Sequence, residues 1–537
     1  MQADLVLYNG KIYTMDQARS QVQAVAIVGN RIAAVGDDAQ IKCLLAPGGK
    51  AIDLGGRTVV PGLTDCHIHF VEYSLRLTRI DLSGVESKAN AIRRVAERTQ
   101  TAKPGEWLLG GGWDRNLWED PSFPTKEDLD SVAPHNPVAL DSKDGHTLWV
   151  NSLALARAGI TVETHGPSGG EIERWPGTGE PTGILKENAK HLVKKVIEKP
   201  SLEAIQAALK AAMANAQRAG LTGIHDCEDE LAFTAFQELL KGDELGLRVL
   251  MHIPAENLDA AIRLGLRTGF GSDKLRVGGV KIFADGALGS RTAAMLAPYE
   301  DEPLNSGIAV TSKEEMRELV SKASRAGNIV AIHAIGDRAN RDVLDILEEN
   351  RQSGEGTDLR HRIEHVQLLH PTDIPRLSKL GITASMQPIH ATSDMEMVKR
   401  HWGEERGRGA YAWRSLTDAG TVLAFGSDCP VETLDPLVGI HAAVTRRRAD
   451  GSPGPEGWHP GERITVEDAV RAYTSGAAYA SGEEQEKGSI TPGKLADLVV
   501  LSQDIFAIAP MAILETEVEA TILGGQFVYR RADFPSL

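Results

Sequence analysis

Two histidines separated by one residue, His67 and His69, close an apolar run, VVPGLTDCHIHF at 59–70. In a β-strand, residues i and i+2 share a face. Both imidazoles can therefore reach one metal ion from one strand end. Further residues of ligand type follow. Lys281 sits inside the apolar run RVGGVKIFADG, where an unpaired charge is costly. A lysine snorkelling at a strand end is one reading; carboxylation by CO2 is the other. The amine must be neutral to react, and the product is an anionic carbamate able to bridge two metals. His333 ends GNIVAIHAIGD, His365 ends LRHRIEHVQLL, and Asp428 closes TVLAFGSDCPVETLDPL. Either histidine alone would more often be a hydrogen-bonded core residue; their shared place at strand ends favours ligation. His361 opens its run, at the opposite strand end, and is set aside. Imidazoles with carboxylate-type oxygens suit zinc, manganese or iron.

These residues need a scaffold that brings distant strand ends together. Short apolar runs alternate with helical patterns through the middle of the chain, which indicates βα units and a parallel sheet. Candidate strands fall at 63–69, 221–226, 248–253, 277–283, 329–333, 361–366, 382–387 and 422–428. Eight such units make an α/β (β/α)8 TIM barrel, whose active sites lie at the C-terminal strand ends. SLEAIQAALKAAMANAQRAG (201–220) reads as an amphipathic helix stopped at Gly220, and Asp337 as the N-cap of a helix over 338–352. Residues 75–215 are too many for one crossover and imply an insertion after the first barrel strand, roofing the active site. Both termini read as short strands, with a Gly524-Gly525 hairpin turn near the end. They predict a composite β-sandwich of 1–58 plus 485–537 around a barrel of 59–484. The Gly/Pro-rich stretch 449–463 reads as a long exposed loop or a lid.

Composition narrows the function classes. The chain has 537 residues, too many for one small core. Its net charge of −16, from 58 basic and 74 acidic residues, disfavours nucleic acid and anionic membranes as partners. The four cysteines, Cys43, Cys66, Cys227 and Cys429, lack disulfide or zinc-finger spacing and fit a reducing cytoplasm. The N-terminus has no signal-peptide pattern. No apolar stretch approaches the roughly 20 residues of a membrane helix. The expected partner is a small-molecule substrate, and a homodimer is expected only because such assemblies are common.

The segment VVPGLTDCHIH resembles the first barrel strand of the amidohydrolase superfamily. His67, His69, Lys281, His333, His365 and Asp428 match that superfamily's ligands in order and strand placement. GSITPGKLADLVVL (488–501) resembles its usual return into the sandwich. FADGALGSRTAAM (283–295), GGGWD (110–114), DGHTLWVNSLAL (144–155) and IHAIGDRAN (332–340) resemble the YtcJ-like branch, the amidohydrolase 3 group, which includes N-substituted formamide deformylase. The likeness spans nearly the whole chain. It implies a binuclear centre, with zinc foremost and manganese or iron as alternatives. One ion would be held by His67, His69, Asp428 and the carbamate of Lys281, the other by the carbamate, His333 and His365. An unmodified Lys281 would leave a mononuclear site on the first pair.

The implied chemistry is hydrolysis of a non-peptide carbon–nitrogen bond by metal-activated hydroxide, with Asp428 moving the proton. Candidates for substrate contact are Trp113, Asp114, His146, Asp285, Arg291 and Gln387. Some have a structural alternative: Trp113 in the insertion's own core, His146 as a turn residue after Asp144-Gly145, Arg291 paired with Asp285. A deaminase of an aminated heterocycle is the alternative enzyme, and Lys281 argues against it. A non-catalytic regulatory barrel is the alternative of another class, and the full ligand set argues against that.

Overall fold

A computed structural model describes residues 2–18, 20–143, 145, 147–167, 170–198, 200–354 and 356–535. The chain divides into two compact units, Met1–Phe70 with Lys210–Leu537, and Val71–Leu209.

The first unit contains eight parallel strands in sequential order: β1 Leu63–Ile68, β2 Leu221–Asp226, β3 Arg248–Pro254, β4 Leu275–Phe283, β5 Val330–Ala334, β6 Arg362–His365, β7 Thr383–Met386 and β8 Leu423–Phe425. This is the barrel that the alternation of apolar runs and helices predicts. The strands are apolar because they are covered on both faces. β6 and β8 stop short of the ends that the apolar runs suggest. β6 ends at His365, because His365 and Val366 take left-handed φ values of 73° and 46°. β8 ends at Phe425, and three residues later Asp428 has φ 58°. Such values are uncommon outside glycine. They break the two-residue alternation where the chain leaves the sheet.

The barrel meets itself along the seam between β1 and the residues after β8. Asp428 N donates to His67 O at 2.7 Å, and His69 N donates to Cys429 O at 2.9 Å. The buried Asp65 carboxylate accepts from the backbone N–H of His67 at 3.1 Å and of Ser427 at 3.0 Å. The strands approach so closely here that a Cβ on Gly426 would lie 2.6 Å from His67 N and 2.7 Å from Asp65 Oδ1.

Two helices show how the crossovers are set. Leu202–Arg218 precedes Gly220, whose φ of 85° turns the chain into β2. The helix Asp337–Gln352 starts one residue earlier than expected. Gly336 occupies its N-cap, and the Asp337 carboxylate accepts instead from Leu296 N at 2.8 Å. Asp337 therefore ties down the loop after β4 rather than capping its own helix.

Beside the barrel, in the same unit, lie two further sheets. One has four strands, all from residues 3–53. The other has six, in the order Gln526–Arg530, Val518–Leu523, Leu498–Leu501, Thr58–Pro61, Lys11–Tyr13 and Gln21–Val22. That second sheet joins the two ends of the chain, and Gly524 and Gly525 make its hairpin turn at φ 55° and 78°. The sheets share one core, in which Leu7, Val25 and Ile52 pack with Leu498, Val500 and Ile522. Thr58–Pro61 runs through Gly62 straight into β1, so this sheet fixes where the first barrel strand begins. Arg248 on β3 clamps Asp497, just before Leu498, with bonds of 2.6 and 2.8 Å.

The Val71–Leu209 unit has its own six-stranded sheet, of Gly170–Arg174, Pro181–Glu187, Thr147–Val150, Val138–Ser142, Leu108–Trp113 and Ile80–Asp81. Among the described residues, no helix is long and apolar enough to cross a membrane.

Gly426→Ala tests the seam. The atoms in its way are backbone and a held carboxylate, so overpacking should destabilise the protein by about 1–3 kcal/mol. Urea denaturation reads this directly; an unchanged midpoint would show that the seam has slack.

Candidate metal centre

β1 delivers His67 from within the strand and His69 from one residue beyond it. His67 is 1% exposed, and the side chain of His69 is 27% exposed. Both face Asp428, whose Oδ1 lies 3.3 Å from His69 Nε2 and 3.6 Å from His67 Nε2. The left-handed backbone at Asp428 turns its carboxylate toward them. β5 and β6 bring two more rings. The His365 ring centre is 4.7 Å from that of His67 and 4.5 Å from that of His333. In regular extension His365 would point away from the face that Glu364 occupies; its φ of 73° brings it to the cluster.

Lys281 on β4 completes the group. It is buried, and its Nζ lies 3.5 Å from His67 Nε2 and 4.9 Å from the centre of the Phe283 ring. Among the described residues, no carboxylate is in ion-pair contact with it.

The protonation of the rings fits a metal. His67 Nδ1 donates to Glu364 Oε2 at 2.6 Å, His333 Nε2 to Gly286 O at 3.0 Å, and His365 Nδ1 to Gln387 Oε1 at 2.9 Å. Each ring thus spends one nitrogen on an acceptor and keeps a lone pair on the other. Such bonds fix the tautomer that ligation needs. Burial, and then the Lys281 charge, pushes His67 down to about 4 and His333 down to about 3. Burial and the neighbouring rings hold His365 well below the usual histidine range. All three are neutral at pH 7. His69 behaves differently: burial pulls it down, but the bond to Asp428 raises it overall. Asp428 lies well below the carboxylate range despite burial, because His69 and the other rings favour its anion. Donor atoms of His67, His69 and Asp428 lie within 4.8 Å of one another, as do those of His365, His390 and Asp428.

Beneath His67 lies a buried ion pair outside the predicted ligand set. Arg362 and Glu364, alternating on β6, are both fully buried. Arg362 Nε reaches Glu364 Oε1 at 2.5 Å, and Nη2 reaches Oε2 at 3.0 Å. Arg362 also donates to Cys66 O, Ser385 Oγ and His225 Nδ1. Burial alone would raise Glu364; Arg362 outweighs it and holds the carboxylate well below its usual range. His390, also missed, enters from the helix Pro388–Met397. The pattern that could have revealed them is polar residues inside apolar barrel strands, R-x-E-H in β6, and QPIH directly after β7.

The predicted substrate contacts divide. Gln387 binds a ring of the cluster. Asp285 accepts from Ile335 N at 3.0 Å and from Gly336 N and Ala294 N at 2.8 Å. Its carboxylate therefore braces the loops after β4 and β5, 3.6 Å from His333 Nε2. Arg291 does not pair with Asp285. It lies in a turn with φ 57° and pairs with Glu302 at 2.9 Å and Asp301 at 3.3 Å. Trp113 is 2% exposed in the core of the Val71–Leu209 unit, packed on Trp118 and Trp149, and its Nε1 donates to Leu140 O. It has no free face there, so its place is that of a packing residue. Asp114, in the same unit, is half-buried at the start of the turn Arg115–Leu117. His146 lies outside the described residues.

The profile of the amidohydrolase family matches residues 50–529. The chain belongs to this family. It is 36% identical to Protein LONG AFTER FAR-RED 3 of Arabidopsis thaliana, over 98% of this chain and 92% of that one. It is 34% identical to the putative amidohydrolase YtcJ of Bacillus subtilis, over 98% and 99%. The N-substituted formamide deformylase of Arthrobacter pascens is 31% identical over 98% of both. A solved structure of an uncharacterized metal-dependent hydrolase from Pyrococcus furiosus superposes with a TM-score of 0.77 at 31% identity, covering 94% of this chain and 99% of the other. The YtcJ-like resemblance read from the motifs is thereby established, and with it the amidohydrolase fold.

Glu364→Gln tests the buried pair beneath the centre. Loss of the carboxylate that orients His67 should weaken metal affinity about 10–100-fold, read by chelator competition. Unchanged affinity in a folded variant would remove Glu364 from the centre.

Proposed function

We propose that this amidohydrolase is a metal-dependent hydrolase of a non-peptide carbon–nitrogen bond, in an amide, N-substituted formamide or cyclic amide. The observation that carries this reading is the convergence of neutral imidazoles, each with one free nitrogen, on the ionised Asp428. The similarity to a named deformylase supports the bond type.

His67, His69 and Asp428 would hold one ion, and His333 and His365 the other, with zinc foremost and manganese or iron as alternatives. Lys281, as a carbamate, would join both. A buried ammonium without a carboxylate partner is costly, whereas a carbamate at that position offers anionic oxygens to the centre. When bound, the ions supply Lewis acidity and bring the pKa of water from about 15.7 towards 7. The protein's own part is to move a proton and to exclude alternatives. Asp428 accepts the proton of the attacking water and delivers it to the leaving nitrogen. Glu364, Gly286 O and Gln387 keep the three rings in the required tautomers while this happens. The four free cysteines suit a reducing compartment, the cytoplasm.

The test is amine release from N-substituted formamides, N-acyl amines and cyclic amides by the metal-loaded protein. Hydrolysis of at least one class is expected, and Asp428→Asn should lower it by at least about 100-fold. No C–N hydrolysis in any of the three classes would contradict the proposal.

A further inference from the structure

His390 faces the same cluster, but its hydrogen bonding is the reverse of that of the other rings. It lies in the first turn of the helix that follows β7, three residues after Gln387. It is 6% exposed, and its ring lies parallel to that of His365, at 12° and 6.3 Å between centres. At Nδ1 it meets a donor: Gln367 Nε2, at 3.3 Å. A ring whose Nδ1 accepts must carry its hydrogen on Nε2 when neutral. His67, His333 and His365 each give a hydrogen to the protein and turn a lone pair inward; His390 takes one and turns an N–H inward. That Nε2 has no hydrogen-bond partner among the described residues and lies 3.7 Å from Asp428 Oδ2. A buried donor without a partner is expensive to leave unmade, and this one points at the carboxylate that moves the proton. His365, His390 and Asp428 are close enough to hold an ion together, but a protonated nitrogen cannot ligate.

We infer that His390 is a catalytic residue that hydrogen-bonds the carbonyl oxygen of the substrate through Nε2–H. The inference rests on the hydrolase reading above. As the water oxygen bonds to the carbonyl carbon, the π electrons move onto the carbonyl oxygen. The N–H of His390 stabilises that negative charge without transferring its proton. Gln367 is the positioning residue that fixes the tautomer. Donors aimed at developing charge are worth about 100- to 1,000-fold in kcat.

Two variants of the full chain, loaded with cobalt(II), test this: His390→Ala and Gln367→Glu. Three readouts separate the outcomes: cobalt content with its visible spectrum, formate binding by calorimetry, and kinetics on any amide the wild type hydrolyses. Formate serves as a probe with an anionic oxygen. His390→Ala should keep its cobalt and spectrum, bind formate roughly tenfold or more weakly, and lose about 100-fold in kcat with little change in KM. Gln367→Glu, which offers Nδ1 an acceptor and so strips Nε2 of its hydrogen, should show the same losses with His390 still present. Lost cobalt or an altered spectrum in His390→Ala would make His390 a ligand and overturn the donor role while leaving the hydrolase reading intact. Unchanged formate affinity and kcat in both variants would also overturn it. A wild type that holds cobalt but neither binds formate nor hydrolyses an amide would sink the hydrolase reading and the donor role with it.

Discussion

The seam between β1 and β8 is the constraint on which the site depends. His67 lies in the first barrel strand, His69 one residue beyond it and Asp428 three residues beyond the last, so they meet only where the barrel closes. The closing bonds run through those same residues: Asp428 N to His67 O, and His69 N to Cys429 O. Asp65 and Gly426 hold the strands at a separation that leaves no room for a side chain. The geometry of the His67, His69 and Asp428 cluster and the closure of the barrel are thus one structural fact. Substitutions at the seam should affect stability and metal retention together, unlike substitutions elsewhere on the rim.

Below the rim, a buried pair of charges does work that apolar packing could not. Replacing a buried ion pair by well-packed apolar residues is often harmless to stability. Here the pair has another use: Glu364, held ionised by Arg362, accepts from His67 and so fixes which nitrogen of that ring is free. Gly286 O and Gln387 do the same for His333 and His365. The chain supplies an acceptor for His67, His333 and His365, and at His390 it supplies a donor. The polarity of these outer bonds sets His390 apart from those three rings more sharply than distance does.

Much of the architecture was legible in the sequence, because alternating apolar strands and amphipathic helices are local patterns. The strand ends holding His67, Lys281, His333, His365 and Asp428 could be located for the same reason. What could not be read depends on contacts remote in sequence or on backbone departures. Glu364 and His67 are 297 residues apart, and nothing local to either announces the bond. Asp337 looks like a helix cap until Leu296 N is seen to occupy its carboxylate. Trp113 in a glycine-rich run suggests a binding wall, whereas three tryptophans meeting in one core account for it. The left-handed turns at His365 and Asp428 leave no mark in composition.

The central claim is that these residues form a two-metal centre bridged by a carbamate on Lys281. The most direct measurement is metal content per chain by plasma mass spectrometry on protein purified without chelator, beside intact mass under native conditions. The account predicts about two metal ions per chain together with a CO2 adduct. One ion and no adduct, even after incubation with zinc or manganese and bicarbonate, would contradict the bridge and favour a mononuclear, deaminase-like centre; no metal at all would contradict the catalytic reading.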